Sequence, residues 1–250
     1  MLDNERLAWT AAKFKPEASR EFDKAVRELV ALAFRYSHYG DDFLWERDPE
    51  LDREANRILR GLSDSLAAKA KELAQSIVKE GLDEADFDEA WDRENDEPEG
   101  DEGKTVLARF DMEGSHLKDL LEIWVALAFV SHLTQGEIRV MVSRYLANPF
   151  ASPLWKGLPR NALGWGRGYS LNILEQVTVI GQNAIISAAR YAEWKVAVAR
   201  GMKYYIRRRG SGYDCPDCDD LCGYPIPIDE PFEEVHSRCM CWPEYHGEGD

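Results

Sequence analysis

Apolar residues recur along the first half of the chain at the spacing of amphipathic helices. Between positions 22 and 34 they fall three or four residues apart, which predicts a helix with one buried face. A second helix is predicted from Pro49 to about Gly81, because Asp48 can cap it and proline is favoured at the first helical position. Its intervening charged residues form the solvent-exposed face.

The hydrophobic pattern continues into two further helices in this half. One is predicted over residues 105–133 and is apolar on most of its faces, which indicates burial. Thr134 and Glu137 then form a capping box, in which each side chain satisfies the other's backbone N–H group. This box predicts a short helix that ends near Leu146.

The C-terminal third changes from a helix to short strands. A long helix is predicted from the capping residue Ser170 to Ala199, and Gly201 is a natural stop. Residues 203–209 are predicted to form a strand, and residues 224–228 a short edge strand that tolerates its two prolines.

The formal net charge of −15 is concentrated in one segment. Twelve acids and one base, Arg93, lie between Asp83 and Glu102, so about −4 remains for the rest of the chain. The beginning of this segment, up to Trp91, is predicted to be a short helix, and the remainder a solvated loop. The acidic balance disfavours a general nucleic-acid coat or attraction to an anionic membrane.

No secretory signal is predicted at the start of the chain, which lacks a basic end followed by an apolar run. The longest apolar run, Ile123 to Val130, is too short to span a bilayer. Five cysteines without such a signal predict a reducing compartment, in which thiols remain available for metal binding. Their odd number also argues against a closed disulfide framework.

All five cysteines follow position 214, and their spacing predicts a metal site. Cys215 and Cys218 form a Cys-x-x-Cys pair, in which one tight turn directs two thiolates at one ion. His236, Cys239 and Cys241 form a His-x-x-Cys-x-Cys segment that supplies matching ligands. Thiolate and imidazole ligands favour a structural Zn²⁺ ion.

Several alternatives remain open at this site. Cys239 and Cys241 would lie on the same face of a strand, so either could be the ligand, and Cys222 is a fifth candidate or a bystander. The thiols could instead be unliganded, or Cys215 and Cys218 could be a thioredoxin-like redox pair, although no βαβ pattern surrounds them. A catalytic zinc would need an open coordination position and a general base, which the pattern does not identify.

A cluster of basic residues precedes the cysteines. Arg207, Arg208 and Arg209 could contact nucleic-acid phosphates or an acidic partner. Alternatively, they could lie on a strand face and pair with the aspartates that follow them in the sequence. Charge patterning alone does not decide between these hypotheses.

The C-terminal third carries an ordered set of residues that resembles a known family. The set comprises Ala189, Arg190 and Glu193 in the long helix, Gly201, an aromatic strand, Cys-Pro-x-Cys-x-x-Leu-x-Gly over 215–223, and His-x-x-Cys-x-Cys over 236–241. This order resembles the C-terminal region of the phage Mu F-like (MuF) head morphogenesis proteins, also called minor head proteins. The resemblance covers about residues 170–242.

The resemblance implies a structural protein of a tailed phage or prophage, acting in head assembly and in DNA packaging or delivery. Its implied partners are the portal protein, the major capsid protein or both, with packaged DNA as a further candidate. Its implied location is the capsid interior or portal vertex of the virion, after assembly in the host cytoplasm. No enzymatic activity, small-molecule substrate or membrane partner is expected. The alternatives are a nucleic-acid-binding zinc module and a zinc-dependent hydrolase or toxin.

Together these patterns predict a mostly α protein with a small C-terminal α+β zinc-binding module. We predict a helical region over residues 1–147, with the acidic linker at 83–103. A connection rich in proline and glycine covers 148–168. The C-terminal domain covers 169–250 and contains the cysteine and histidine module at 203–243.

Overall fold

The computed structural model describes residues 4–36, 43–78, 84–96, 105–147, 173–210, 216–232 and 240–247. The described chain is mostly helical and has one small antiparallel sheet near its C-terminus, as predicted. The helices are α1 (Asn4–Ala12), α2 (Phe14–Arg35), α3 (Pro49–Val78), α4 (Glu84–Trp91), α5 (Val106–Val130), α6 (Gln135–Ala147), α7 (Ile173–Ala199) and α8 (Pro216–Leu221). The strands are β1 (Tyr204–Arg208), β2 (Pro225–Pro227) and β3 (Trp242–His246).

Two helix starts follow the predicted capping chemistry. At α3, Asp48 Oδ1 accepts hydrogen bonds from the backbone N–H groups of Glu50 (2.8 Å) and Leu51 (3.3 Å). At α6, Glu137 Oε2 accepts from the Thr134 N–H group at 2.8 Å, and Thr134 Oγ1 accepts from the Glu137 N–H group at 3.3 Å. Each bond satisfies a backbone donor that the first helical turn cannot use.

The acidic segment departs from its predicted loop. As predicted, α4 is a short helix with Phe87 and Trp91 buried. Residues 92–96, however, continue as a π-helical turn, and Asn95 is buried where its side-chain amide donates to the Ala184 carbonyl at 3.4 Å. The solvated-loop prediction is therefore wrong for residues 92–96, because local packing outweighs their charge.

The chain divides by contacts into two compact units. One comprises Met1–Phe14, Ala67–Leu107 and Val179–Asp250, and the other comprises Lys15–Leu66 and Ala108–Thr178. Long helices contribute residues to both units. The predicted proline- and glycine-rich connection and the capping residue Ser170 lie outside the described residues, so the predicted domain boundary stays a prediction.

The second unit has an aromatic core that includes the loop before α3. Phe43 packs edge-on against Trp45 with ring centroids 5.0 Å apart, and against Phe129 of α5 at 5.9 Å. The Trp45 indole N–H group donates to the Lys118 carbonyl at 3.0 Å, so its one polar group is satisfied. These contacts hold the start of α3 against α5.

Two helical glycines give a matched test of packing. A Cβ atom at Gly181 would lie 2.0 Å from Cε1 of the fully buried Phe14 ring, whereas nothing lies within 4 Å of such an atom at Gly61. We expect Gly181→Ala to lower the free energy of unfolding by about 1–3 kcal/mol through overpacking. Gly61→Ala should raise it by about 0.5–1 kcal/mol, because alanine favours the helix. Urea unfolding of both variants checks this, and a shift in the same direction for both would contradict it.

Candidate metal and thiol site

The C-terminal module begins where α7 ends. Gly201 has a φ of 75°, a left-handed conformation that glycine adopts without strain. The N–H groups of Gly201 and Met202 donate to the carbonyls of Val198 (2.9 Å) and Ala197 (3.1 Å), which satisfies the last turn of the helix. The chain then continues into β1, and the sequence predicted a strand at this position.

The sheet brings two distant segments to one end of β1. Its strand order is β2-β1-β3, and both neighbours run antiparallel to β1. Pro225, the first residue of β2, pairs with Ile206, and Trp242, the first residue of β3, pairs with Arg208. The residues that precede β2 and β3 in sequence are therefore placed at the C-terminal end of β1.

A buried cluster of aromatic residues and thiols lies beneath this sheet. Its buried members are Ala197, Tyr205, Cys218, Phe232, Cys241 and Tyr245, and Trp194, Met202, Cys222, Ile226 and Ile228 pack against them. Tyr205 of the central strand contacts the rings of Phe232 and Tyr245, with centroid distances of 5.8 and 6.0 Å. The thiols therefore belong to the hydrophobic core of the module.

The described cysteines come from both halves of the predicted metal site. Cys218, in the short helix α8, is 2% exposed, and Cys241, immediately before β3, is 1% exposed. Cys222 is half-buried, and none of these three sulfurs is in a disulfide. The other predicted ligands, Cys215, His236 and Cys239, lie outside the described residues.

A donor set of several thiols in one small core suits a soft divalent cation such as zinc. Among the residues that the structure describes, no group of three or more His, Cys, Asp or Glu side chains is arranged to hold a metal ion. Cys215, His236 and Cys239 of the predicted ligand set fall in the segments outside that description.

The pKa of the Cys222 thiol is raised by burial and, to a smaller extent, by the neighbouring Cys241 thiol. Burial is the largest of these causes, and the guanidinium groups of Arg207 and Arg209 oppose it. Without a bound cation, the neutral thiol is therefore favoured at Cys222, and a metal ion binding there would have to displace its proton.

The backbone beside Cys222 and beside Cys241 lies close to the C-terminal end of β1. Gly223, which follows Cys222, donates its N–H group to the Arg207 carbonyl at 3.0 Å. On the other side, Gly210 passes so close to the chain that a Cβ atom there would lie 1.5 Å from the Met240 carbonyl oxygen. The two cysteines therefore flank the end of this strand.

The predicted basic cluster is largely occupied within the module. Arg207 is 4% exposed, and its guanidinium carbon lies 4.2 Å from the centre of the Phe232 ring. Arg208 pairs with Glu244 of β3, and Arg209 pairs with Asp219 of α8. Arg209 thus follows the hypothesis of pairing with the aspartates that come after it in the sequence. Arg208 pairs instead with a glutamate of the neighbouring strand, and Arg207 is buried rather than on a solvated strand face.

A second polar cluster, which the sequence indicated only through the family resemblance, is buried along α7. Arg190 Nη1 lies 3.0 Å from Glu193 Oε2, and their side chains are 2% and 6% exposed. A second nitrogen of Arg190 donates to the Asn4 side chain of α1. Burial, followed by the charge of Glu193, raises the pKa of Tyr245 in β3. This polar cluster therefore joins α1 and α7.

The chain matches no protein-family model, no curated protein and no solved structure. In the described part of the chain, no helix combines the length and the apolar character needed to cross a membrane. The family resemblance accordingly depends on the residues quoted for it.

Proposed function

We propose that this chain is a minor head protein of a tailed phage or prophage, of the MuF-like type. One observation carries the proposal: cysteines from both halves of the family-like motif, Cys218 and Cys241, are buried in one cluster beneath the sheet that follows α7. A chain in which the two cysteine segments served separate purposes would not need to bring them into one core. The order of helix, aromatic strand and two cysteine segments further supports the resemblance.

In this proposal the module holds one structural zinc ion. The ligands would be Cys215, Cys218 and His236, together with Cys239 or Cys241, and the burial of Cys241 in the thiol cluster favours that residue. When bound, zinc would cross-link the two cysteine segments of the module. It would thereby stabilise a hydrophobic core that is too small to be strongly stable alone. The protein's own residues supply thiolate and imidazole ligands, and no catalytic step is proposed.

The helices would provide the surfaces that bind the portal protein, the major capsid protein or both. Ile123 and Val130 lie seven residues apart on α5, where they share a face, and they are 50% and 59% exposed. Exposed apolar side chains on one helix face suit a protein partner better than packaged DNA. The proposed location is the capsid interior or portal vertex of the virion.

Virion composition tests this proposal directly. We expect the chain to be present in purified particles of the phage that encodes it, and to bind the portal protein of that phage when the two are coexpressed. Ile123→Glu with Val130→Glu should weaken portal binding, whereas Arg20→Glu at an exposed position of α2 serves as the surface control. Absence from virions together with no binding to portal or capsid protein would rule the proposal out.

The alternative functions gain no specific support from the described residues. A nucleic-acid interface would require accessible cationic groups, but Arg208 and Arg209 pair with acids and Arg207 is buried. A zinc-dependent hydrolase or toxin would require a general base beside the metal. The described residues do not identify a carboxylate for that role.

A further inference from the structure

We propose that two copies of this chain associate as a two-fold dimer through a groove between α2 and α3. This α2–α3 groove runs along α2 from Glu21 to Arg35 and along α3 from Leu62 to Glu54, so the two helices are antiparallel beside it. All of it lies within one compact unit, and the larger of its two parts has a volume of about 550 Å³. The inference is independent of the proposed phage function and of the proposed zinc ion.

The floor of the groove allows another helix to approach closely. Ala31 and Gly61 are exposed, and nothing lies within 4 Å of a Cβ atom placed on Gly61. Between them, the half-buried side chains of Phe34 and Ile58 offer apolar surface. The groove spans about 21 Å of α2, which is about four turns of helix. Small side chains at such a contact favour a short distance between the packed helices.

The charges that line the groove balance one another, although the whole chain has a net charge of −15. A strongly acidic or strongly basic partner would meet charges of its own sign there. A second copy is better matched, because a neutral face that carries both signs can be complementary to itself. The three acids are Glu21, Glu28 and Glu54, and the three bases are Lys24, Arg35 and Arg57.

The central charges of the groove are available to a second copy. Glu28 of α2 and Arg57 of α3 each line both parts of the groove, so they lie at the same level along it. Within the described part of the chain, neither forms an ion pair, and both are exposed. At the wider end, Arg35 and Glu54 also face each other across the groove, with their side chains 2.9 Å apart.

Two-fold symmetry turns this arrangement into intermolecular pairs. An axis along the groove places α2 of each copy over α3 of the other copy, with the helices antiparallel. Because Glu28 and Arg57 share one level, each Glu28 then faces Arg57 of the second copy, and the pair forms twice. An axis across the groove would instead place Glu28 opposite Glu28, which like-charge repulsion disfavours.

Charge reversal in the full-length chain tests the dimer. Sedimentation velocity over a range of protein concentrations should give the wild-type protein twice the 28.5 kDa mass of one chain. Glu28→Arg and Arg57→Glu should each raise the dissociation constant about tenfold or more, because like charges then meet twice in the interface. Arg27→Glu is the matched control, since this exposed α2 residue does not line the groove, and it should remain dimeric.

Mixing the two variants separates pairing between copies from effects within one chain. Glu28→Arg carries arginine at both positions and Arg57→Glu carries glutamate at both, so a mixed dimer regains both attractive contacts. An equimolar mixture should therefore recover the dimer mass that each variant alone has lost, which also shows that neither variant is unfolded. A wild-type protein with the mass of one chain at every concentration, dimers that persist in both variants alone, or a mixture that does not associate would each overturn the inference.

Discussion

Removal of the proposed zinc ion is expected to unfold the C-terminal module while the helical part of the chain stays folded. Cys215→Ser and Cys218→Ser should each lower the metal content of the purified protein and expose the residues around β1 and β3 to protease. The expected effect is large, because structural zinc contributes an apparent ~10–16 kcal/mol in small zinc-dependent modules. Elemental analysis and limited proteolysis measure the two consequences separately.

A comparison of the chelated wild-type protein with the serine variants distinguishes the effect of losing the metal from the effect of altered packing. Cys218 is buried, so a serine there also perturbs packing. A chelator applied to the wild-type protein leaves every side chain in place and should reproduce the proteolysis pattern of both variants. Added zinc should raise the melting temperature of the chelated wild-type protein but not that of Cys215→Ser. A fully folded wild-type module without bound metal would refute the zinc proposal.

Breaking the buried ion pair of α7 is expected to destabilise the unit that contains the module. In Glu193→Ala, the guanidinium of Arg190 would stay buried without its carboxylate partner. Removing one member of such a pair costs about 3–5 kcal/mol, because the remaining charge has lost both its solvation and its counter-charge. Urea unfolding should report this loss directly.

Two further variants separate burial from charge. Lys195 lies on α7 like Arg190 and Glu193, and Lys195→Ala removes its ion pair with Glu89 of α4. The Glu89 side chain is 62% exposed, so solvent screening should keep the cost to about 0–1 kcal/mol. Replacing both Arg190 and Glu193 with methionine leaves no isolated buried charge and should recover most of the stability lost in Glu193→Ala. A Glu193→Ala variant no less stable than Lys195→Ala would contradict the expectation.

The helices could be predicted because their signals are local. The boundaries at Pro49, Thr134 and Gly201 depend on capping groups within a few residues, and the structure has α3, α6 and α7 beginning or ending there. Hydrophobic periodicity likewise identified the buried faces, since a helix repeats every 3.6 residues whatever it packs against. β3 was not predicted as a strand, because its pairing with β1 joins residues almost forty positions apart.

The sequence alone determined that this protein is mostly helical, that its cysteines are gathered at one end, and that its two cysteine segments could act together. Only the tertiary structure decided that Arg207 is buried against Phe232, that Arg190 and Glu193 form a buried pair, and that Cys218 and Cys241 are buried in one cluster. The physical reason is that capping and periodicity depend on neighbours along the chain. Burial and ion pairing depend on which distant segments the fold brings together.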